Sequence, residues 1–558
     1  MKIANIQKNY INENNKELRN NQQHPQFKSV DGVLRFLATN QAIGANLVDF
    51  SFMVVPRTTT DLVNRGPDAG IETARREASG TVNHSLIGLY GMGAGAVAAA
   101  LMGIDNEFGI KANEIFTAPE TLDILAQNKA TQVKSKGSQL DYLKETLTNM
   151  KAYNPTSELK KADKDGFVRL AKEEVDEIAT LLNDVISDTN IDHKSWAKGK
   201  TRNSKDAIAN IIIEKTGAES KYVLESADKK ISSSAELKTV LDDIFKVSKT
   251  FNKEKVAKAF DEQVKNNKGI KDNAYIKGLQ KFMKSRAAAG FAIGTAIGMS
   301  IQPLNVYMTK LKTGSDGFVG VEGRSKDDSA GFKALKAASA VAFFGMVLTT
   351  LQTGLKGFMD KMAFKGSLPT ISQLKGIYGL TIISRILATR DKDELRESLT
   401  KDTLGFLSWL VLGDFVNKVA ANAIDKSVIN NKPGSEETKG FFAGVKKLFN
   451  SSLKTRDEIL IETLATKGIK STKEENGKLV AKSFKELSKD LEKLAPDLQK
   501  ATKKRLGALN KAQLAGYLFS GLVLGLGIPN LNIYITNTLD KKRKAKAAEE
   551  AQTQQQLA

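Results

Sequence analysis

Ala287–Thr309 reads AAAGFAIGTAIGMSIQPLNVYMT, and nothing in it is charged. A bilayer core takes about 20 apolar residues in helical form, so the stretch has the length and composition of a membrane span. A second stretch near the end of the chain, Ala512–Leu539, reads AQLAGYLFSGLVLGLGIPNLNIYITNTL and is also uncharged. Placing Gly294 on Gly521 puts Gly298 on Gly525, Ile301 on Ile528, Leu304 on Leu531, Asn305 on Asn532, Tyr307 on Tyr534 and Thr309 on Thr536. The cores IQPLNVYMT and IPNLNIYIT agree at five of nine positions. The two read as an internal repeat of glycine-rich, membrane-inserting helices.

The spacing of the glycines carries physical meaning. Gly290, Gly294 and Gly298 lie one above another on a helix, and Gly521 and Gly525 repeat the interval. In lipid, where apolar helices gain nothing by leaving the solvent, small residues at this spacing let backbones pack closely. These five glycines are expected to form helix-packing faces. After each glycine run a proline precedes Asn-x-Tyr-x-Thr. Proline frees a backbone carbonyl, which Asn305 and Asn532 could help satisfy, while tyrosine suits the headgroup layer. A headgroup anchor and a broken helix lining a polar site both fit this pattern.

Apolar runs elsewhere alternate with very polar tracts, which is why the mean hydropathy of −0.29 looks soluble. Val33–Pro56 has span length with Asp49 inside it. Thr81–Ile104 is uncharged and Gly/Ala-rich, and reads as a transmembrane helix. Ala337–Leu355 is another uncharged run. Ile371–Thr389, interrupted by Arg385, reads either as a span or as a helix lying at the interface. Thr403–Ile424 contains Asp414 and Lys418, spaced to pair on one helix face. Ionisable groups at membrane depth are costly and mark functional sites, so Asp49, Asp414, Lys418, Asn305 and Asn532 form the candidate intramembrane polar set.

The expected organisation is an all-α, multi-pass membrane protein with inserted soluble helical domains. It comprises a disordered arm (1–30), first membrane-associated helices (31–104) and a soluble helical domain (105–285). A membrane region (286–424), a second soluble segment (425–511), a last membrane helix (512–539) and a basic disordered tail (540–558) follow. The soluble tracts carry apolar residues at helical spacing, as in VDEIATLLNDVI and LKTVLDDIF.

With 84 Lys and Arg against 63 Asp and Glu, the formal charge is +21. Basic clusters at 198–205, 503–505 and 541–546 beside apolar runs point to anionic lipid headgroups. Aromatic residues do not interleave with them, so nucleic acid is not an expected partner. Glycine faces also suit self-association into a homo-oligomer. Without cysteine and with three separated histidines, no metal or other cofactor is expected. Gly91–Ala96 fits a loose dinucleotide pattern, but no β-α-β unit surrounds it, and no catalytic motif stands out, so the protein is not expected to be an enzyme. The N-terminus has no apolar core of a cleavable signal peptide. Localisation is expected in a membrane, the cytoplasmic membrane of a bacterium, with a role in scaffolding, membrane remodelling or passive transport. A second reading is a soluble helical protein that inserts conditionally, a pore-former or a phage-type ejection protein.

Overall fold

A computed structural model describes residues 34, 41–319, 325–364, 370–430, 444–445, 448–449 and 451–557. The arm 1–30 and part of the run from Val33 lie outside the described residues. The structure is mostly helical, at 74% helix. Four helical runs are long and apolar enough to cross a membrane: Ala274–Thr313, Ala330–Thr350, Lys392–Ile424 and Pro496–Gln554. A bent pair within 67–102 is a fifth candidate.

The chain enters through α1 (Gln41–Asp49), one π-helical stretch at Phe50–Val54, and α2 (Val55–Arg65). Gly66 ends α2 at φ +87°, a conformation open to glycine, and Pro67 opens α3 (Pro67–Ser85). The expected single span at Thr81–Ile104 is in fact divided. Thr81 belongs to α3, and α4 (Ile87–Met102) departs from it at 48°. The cause is local: Thr81 donates its hydroxyl to the Glu77 carbonyl and Ser85 donates to the Thr81 carbonyl, back-bonding that bends helices.

Next comes a body with an ordinary apolar interior. It holds α5 (Pro119–Ser135), α6 (Gln139–Thr148), α7 (Lys172–Ser187), α8 (Lys205–Thr216), α9 (Leu237–Phe251) and α10 (Glu254–Lys265). Ile178, Leu182, Leu241, Ile244 and Phe245 are all fully buried, each such side chain stabilising by about 1.5–3 kcal/mol. Trp196 stacks on Phe245 at 4.5 Å. A small antiparallel sheet, unforeseen in the sequence, runs β2-β1-β3-β4, with β1 Met150–Tyr153, β2 Phe167–Arg169, β3 Tyr222–Glu225 and β4 Ser232–Ala235. Strands of three or four residues are too short to show a two-residue period.

The bundle resumes with α11 (Ala274–Thr313), α12 (Ala330–Thr350), α13 (Ile371–Ala388), α14 (Lys392–Leu407), a π-helical turn at Ser408–Leu412 and α15 (Gly413–Ile424). Then α16 (Arg456–Ala465) and α17 (Phe484–Leu491) reach back, placing Leu460, Ile461, Leu464, Leu487 and Leu491 in the same core as α5–α10. Last are α18 (Pro496–Ser520), a π-helical stretch at Gly521–Gly527 and α19 (Ile528–Leu557). The basic tail, expected to be disordered, continues α19 as helix. Neither repeat proline breaks its helix. Pro303 lies inside α11, and the Met299 carbonyl one turn earlier accepts from the Ser384 hydroxyl of α13 at 2.7 Å.

Helix α4 runs antiparallel along α11. A Cβ on Gly290 would lie 2.9 Å from the Gly91 Cα, and one on Gly294 would meet Ile87 and Ile377. On Gly298 it would meet Thr381 and Asn83, while on Gly521 and Gly525 it would meet Phe52 and Pro56. Each of these glycines therefore sits where another helix comes too close for a side chain.

Candidate functional site

The bundle has an apolar core that includes Phe343, Ile382, Ile386 and Phe406, yet it also buries a set of charged side chains while exposing several large apolar ones. Leu101 on α4, Val341 on α12 and Leu522 in the π-helical stretch are 83%, 73% and 62% exposed, whereas Arg57, Glu77, Arg385 and Asp402 are each 3% or less. These charges lie between α2, α3, α13 and α14. Arg385 pairs with Glu77 at 3.2 Å and with Asp402 at 3.0 Å. Arg57 lies 3.4 Å from Glu77, and Lys401 lies 3.7 Å from it.

The contacts are reciprocal. Arg390, just before α14, pairs with Glu72 of α3 at 2.6 Å, and Arg65, just before α3, pairs with Glu397 of α14 at 2.9 Å. Arg385 donates to the Arg76 carbonyl at 3.2 Å, while Arg57 donates to the Lys401 carbonyl at 3.4 Å. Two glycines make this room: a Cβ on Gly80 would lie 3.0 Å from Arg385, and one on Gly405 would lie 2.7 Å from Arg57. Lys312 pairs with Asp68 at 2.6 Å and Arg543 with Asp393 at 3.0 Å. Phe318 caps both arginine pairs, its ring 5.5 Å from Arg65 and 5.8 Å from Arg390.

Since the N-terminal ends of α3 and α14 meet here, and His84 meets Trp409 further along at 5.3 Å, the two helices run in the same direction. Between their first turns is a cleft of about 20 Å³, lined by Asp61, Arg65, Glu72, Arg76, Glu397 and Lys401 among others. It is roomy enough for about one water.

Three of the five polar candidates belong to this arrangement. Asn305 donates to the Glu72 carbonyl at 3.0 Å and accepts from Arg75 at 2.9 Å. Asn532 donates to the Glu397 carbonyl at 3.1 Å. Both are buried, whereas Tyr307 and Tyr534 face outward. Asp49 accepts from the Thr81 hydroxyl and lies 3.3 Å from His84. Asp414 and Lys418 do pair, at 2.7 Å, but stand apart from the network, with the Asp414 side chain 66% exposed.

Most of the network escaped sequence reasoning because its residues lie at the ends of apolar runs. A signal was present. Asp68, Glu72, Thr73, Arg76, Glu77 and Gly80 have the same spacing as Asp393, Glu397, Ser398, Lys401, Asp402 and Gly405. Arg65 and Arg390 extend the match upstream, and Gly88 and Gly413 extend it downstream. Buried ion pairs are costly unless closely matched, so a charge pattern written twice constrains packing more than any single residue does. Compared with known proteins, the chain matches no family model, no curated protein and no solved structure.

Proposed function

We propose that the chain is an integral α-helical membrane protein of the passive-transport kind, built from two similar halves that close on each other through the charge network. The observation that carries this reading is the burial of paired charges between helices whose outer faces expose large apolar side chains such as Leu101, Val341 and Leu522. In lipid the outward leucines are solvated by acyl chains, and ionisable groups are expected to face the bundle interior or a water path.

On this reading one half is α2–α4 with α11, and the other is α13–α15 with α18–α19. The charge pattern and the glycine-rich repeat both place their copies in this order. Each half's first helix packs on the other half's last: α13 on α11, and α2 on α19. Because α3 and α14 run in the same direction, the relating axis lies along them and both halves share one orientation in the membrane. The ion pairs hold this conformation closed, and the cleft at their end is the mouth of the path. Exposed Lys541, Lys542, Lys544 and Lys546 on α19 fit anionic headgroups as a partner surface.

Carbonate washing of membranes, followed by purification with and without detergent, tests the first half of the proposal. Retention in the pellet and a need for detergent are expected. A monodisperse chain in detergent-free buffer would overturn it and favour conditional insertion. Solute leak from liposomes holding the protein tests the second half: Glu77→Ala is expected to raise it over the parent chain. No leak from either protein would leave a scaffold.

A further inference from the structure

The two proposed halves match at Arg65, Asp68, Glu72, Arg76 and Glu77 of the network, and they differ in a way that matters further along α3. Where the first half has Thr81 and His84 on α3, the second has Phe406 and Trp409. His84 is 1% exposed and Asp49 2%. The imidazole Nε2 lies 3.3 Å from an Asp49 carboxylate oxygen, which also accepts from the Thr81 hydroxyl. Among the described residues, neither imidazole nitrogen completes a well-aligned hydrogen bond with another group. The ring stands edge-on to Tyr378 at 5.6 Å and tilted to Trp409 at 5.3 Å. Asp49 immediately precedes the π-helical stretch Phe50–Val54, and Trp409 lies in the one at Ser408–Leu412; such turns recur at functional sites.

We propose that Asp49 and His84 form a proton-binding pair and that the proton is the ion to which this bundle responds. In the deprotonated form the neutral imidazole and the carboxylate carry one negative charge. One proton from water, added to the free imidazole nitrogen, gives an imidazolium–carboxylate pair with no net charge and leaves every other bond in place. Histidine is the side chain whose ordinary titration range suits this.

The groups facing the pair relay the change. Tyr378 of α13 touches His84 with its ring, leaves its own hydroxyl unpartnered, and lies within the fields of Asp49, Arg57 of α2, Arg385 of α13 and Asp402 of α14. Losing the negative charge at Asp49–His84 changes the field at Tyr378, which also lies within the fields of Arg57 and Arg385, the two arginines that bridge the halves. The functional meaning rests on the membrane-transport reading; the binding of the proton does not.

The test uses the full chain in detergent with His24→Gln and His193→Gln, so that His84 is the only histidine left, and follows its ¹⁵N resonances from pH 4.5 to 9. A titration between one neutral tautomer and the doubly protonated ring is expected. Asp49→Asn is expected to lower the proton affinity about tenfold or more, the loss of a close opposite charge being worth at least one unit. A ring that keeps one protonation state over the whole range overturns the proposal, as does an unchanged titration in folded Asp49→Asn. If Asp49→Asn does not fold, the parent titration alone decides. Failure of the membrane reading would appear in the carbonate wash, independently of this result.

Discussion

In the body formed by α5–α10, Leu241, Ile244 and Phe245 are sealed from solvent while Lys144 and Asp176 pair at the surface with side chains 36% and 45% exposed. The helices α2–α4, α11–α15 and α18–α19 keep an apolar core around Phe343, Ile382 and Phe406 but add buried ion pairs to it and expose large apolar side chains. Leu101 is outside, and Glu77, Arg385 and Asp402 are inside. On the membrane reading proposed above, one chain obeys two solvents. In water, burying a leucine releases apolar surface and stabilises, and an exposed ion pair contributes almost nothing. Between acyl chains the leucine gains nothing by turning inward, and cohesion passes to close backbone contact, hydrogen bonds and matched charge.

The largest effect is expected from stripping charge from the inside of the bundle. Glu77→Ala leaves Arg57, Arg385 and Lys401 short of their shared carboxylate and is expected to destabilise the detergent-solubilised chain by about 3–5 kcal/mol. Melting followed by gel filtration reads this out; a loss no larger than that of a surface variant would contradict the buried-charge assignment. Leucine deletion should show the opposite asymmetry. Leu241→Ala is expected to cost about 2–5 kcal/mol, and Leu101→Ala about 0.5 kcal/mol or less. Equal costs in thermal melts would mean that α4 is covered by protein rather than by lipid.

A third contrast is packing. Gly290→Ala puts a methyl group 2.9 Å from the Gly91 Cα, where backbone cannot yield, and about 1–3 kcal/mol should be lost. A neutral effect on melting would show that α4 and α11 are free to move apart.

The fourth concerns titration in the water-facing body. Burial pushes the Glu458 carboxyl up to about 6 even though it accepts from the backbone of Glu219, Ser220 and Thr455. The folded state thus holds this proton more tightly than the unfolded chain. Its contribution is full below the ordinary carboxylate range and is lost as pH rises towards about 6, a span worth about 2 kcal/mol. Glu458→Gln, neutral throughout, is expected to flatten that slope in melts at pH 4.5 and 7, and a parallel slope would refute the assignment. Among the charge variants the smallest effect expected is that of Lys144→Ala at the exposed pair with Asp176, under about 1 kcal/mol. Its comparison with Glu77→Ala measures how far the medium changes the worth of a charge.

Much of the fold was legible in the residues. The uncharged runs, the glycine ladders and the amphipathic spacing of the polar tracts all identify helices, and those helices are present. The five glycines were legible as packing faces because the reason for a glycine, a backbone too near for a Cβ, is expressed at a single spacing. Asp49 stood out as an acid inside an apolar run. His84, four positions into the apolar stretch, carried no such mark, since an isolated histidine on a helix has many uses. Arg57, Glu72, Arg390 and Glu397 were harder still, because each sits at a helix end where charge is ordinary. Their meaning lies in a partner more than 300 positions away in sequence.

By itself, then, the sequence determined that this chain is helical, that its apolar runs suit a bilayer, and that two uncharged runs, 287–309 and 512–539, share a glycine interval and five of nine core positions. These properties depend on neighbours three, four or seven residues apart, which a helix brings together wherever it is placed. Tertiary structure alone decided that α16 and α17 complete the core begun by α5–α10, and that Arg65 meets Glu397 while Arg390 meets Glu72. It also decided which polar candidates share a site, joining Asn305, Asn532 and Asp49 to the buried charges and leaving Asp414 and Lys418 outside. Ion pairing acts through space and falls off over a few ångströms, so only the packed bundle could say which of the many charges on this chain answer one another.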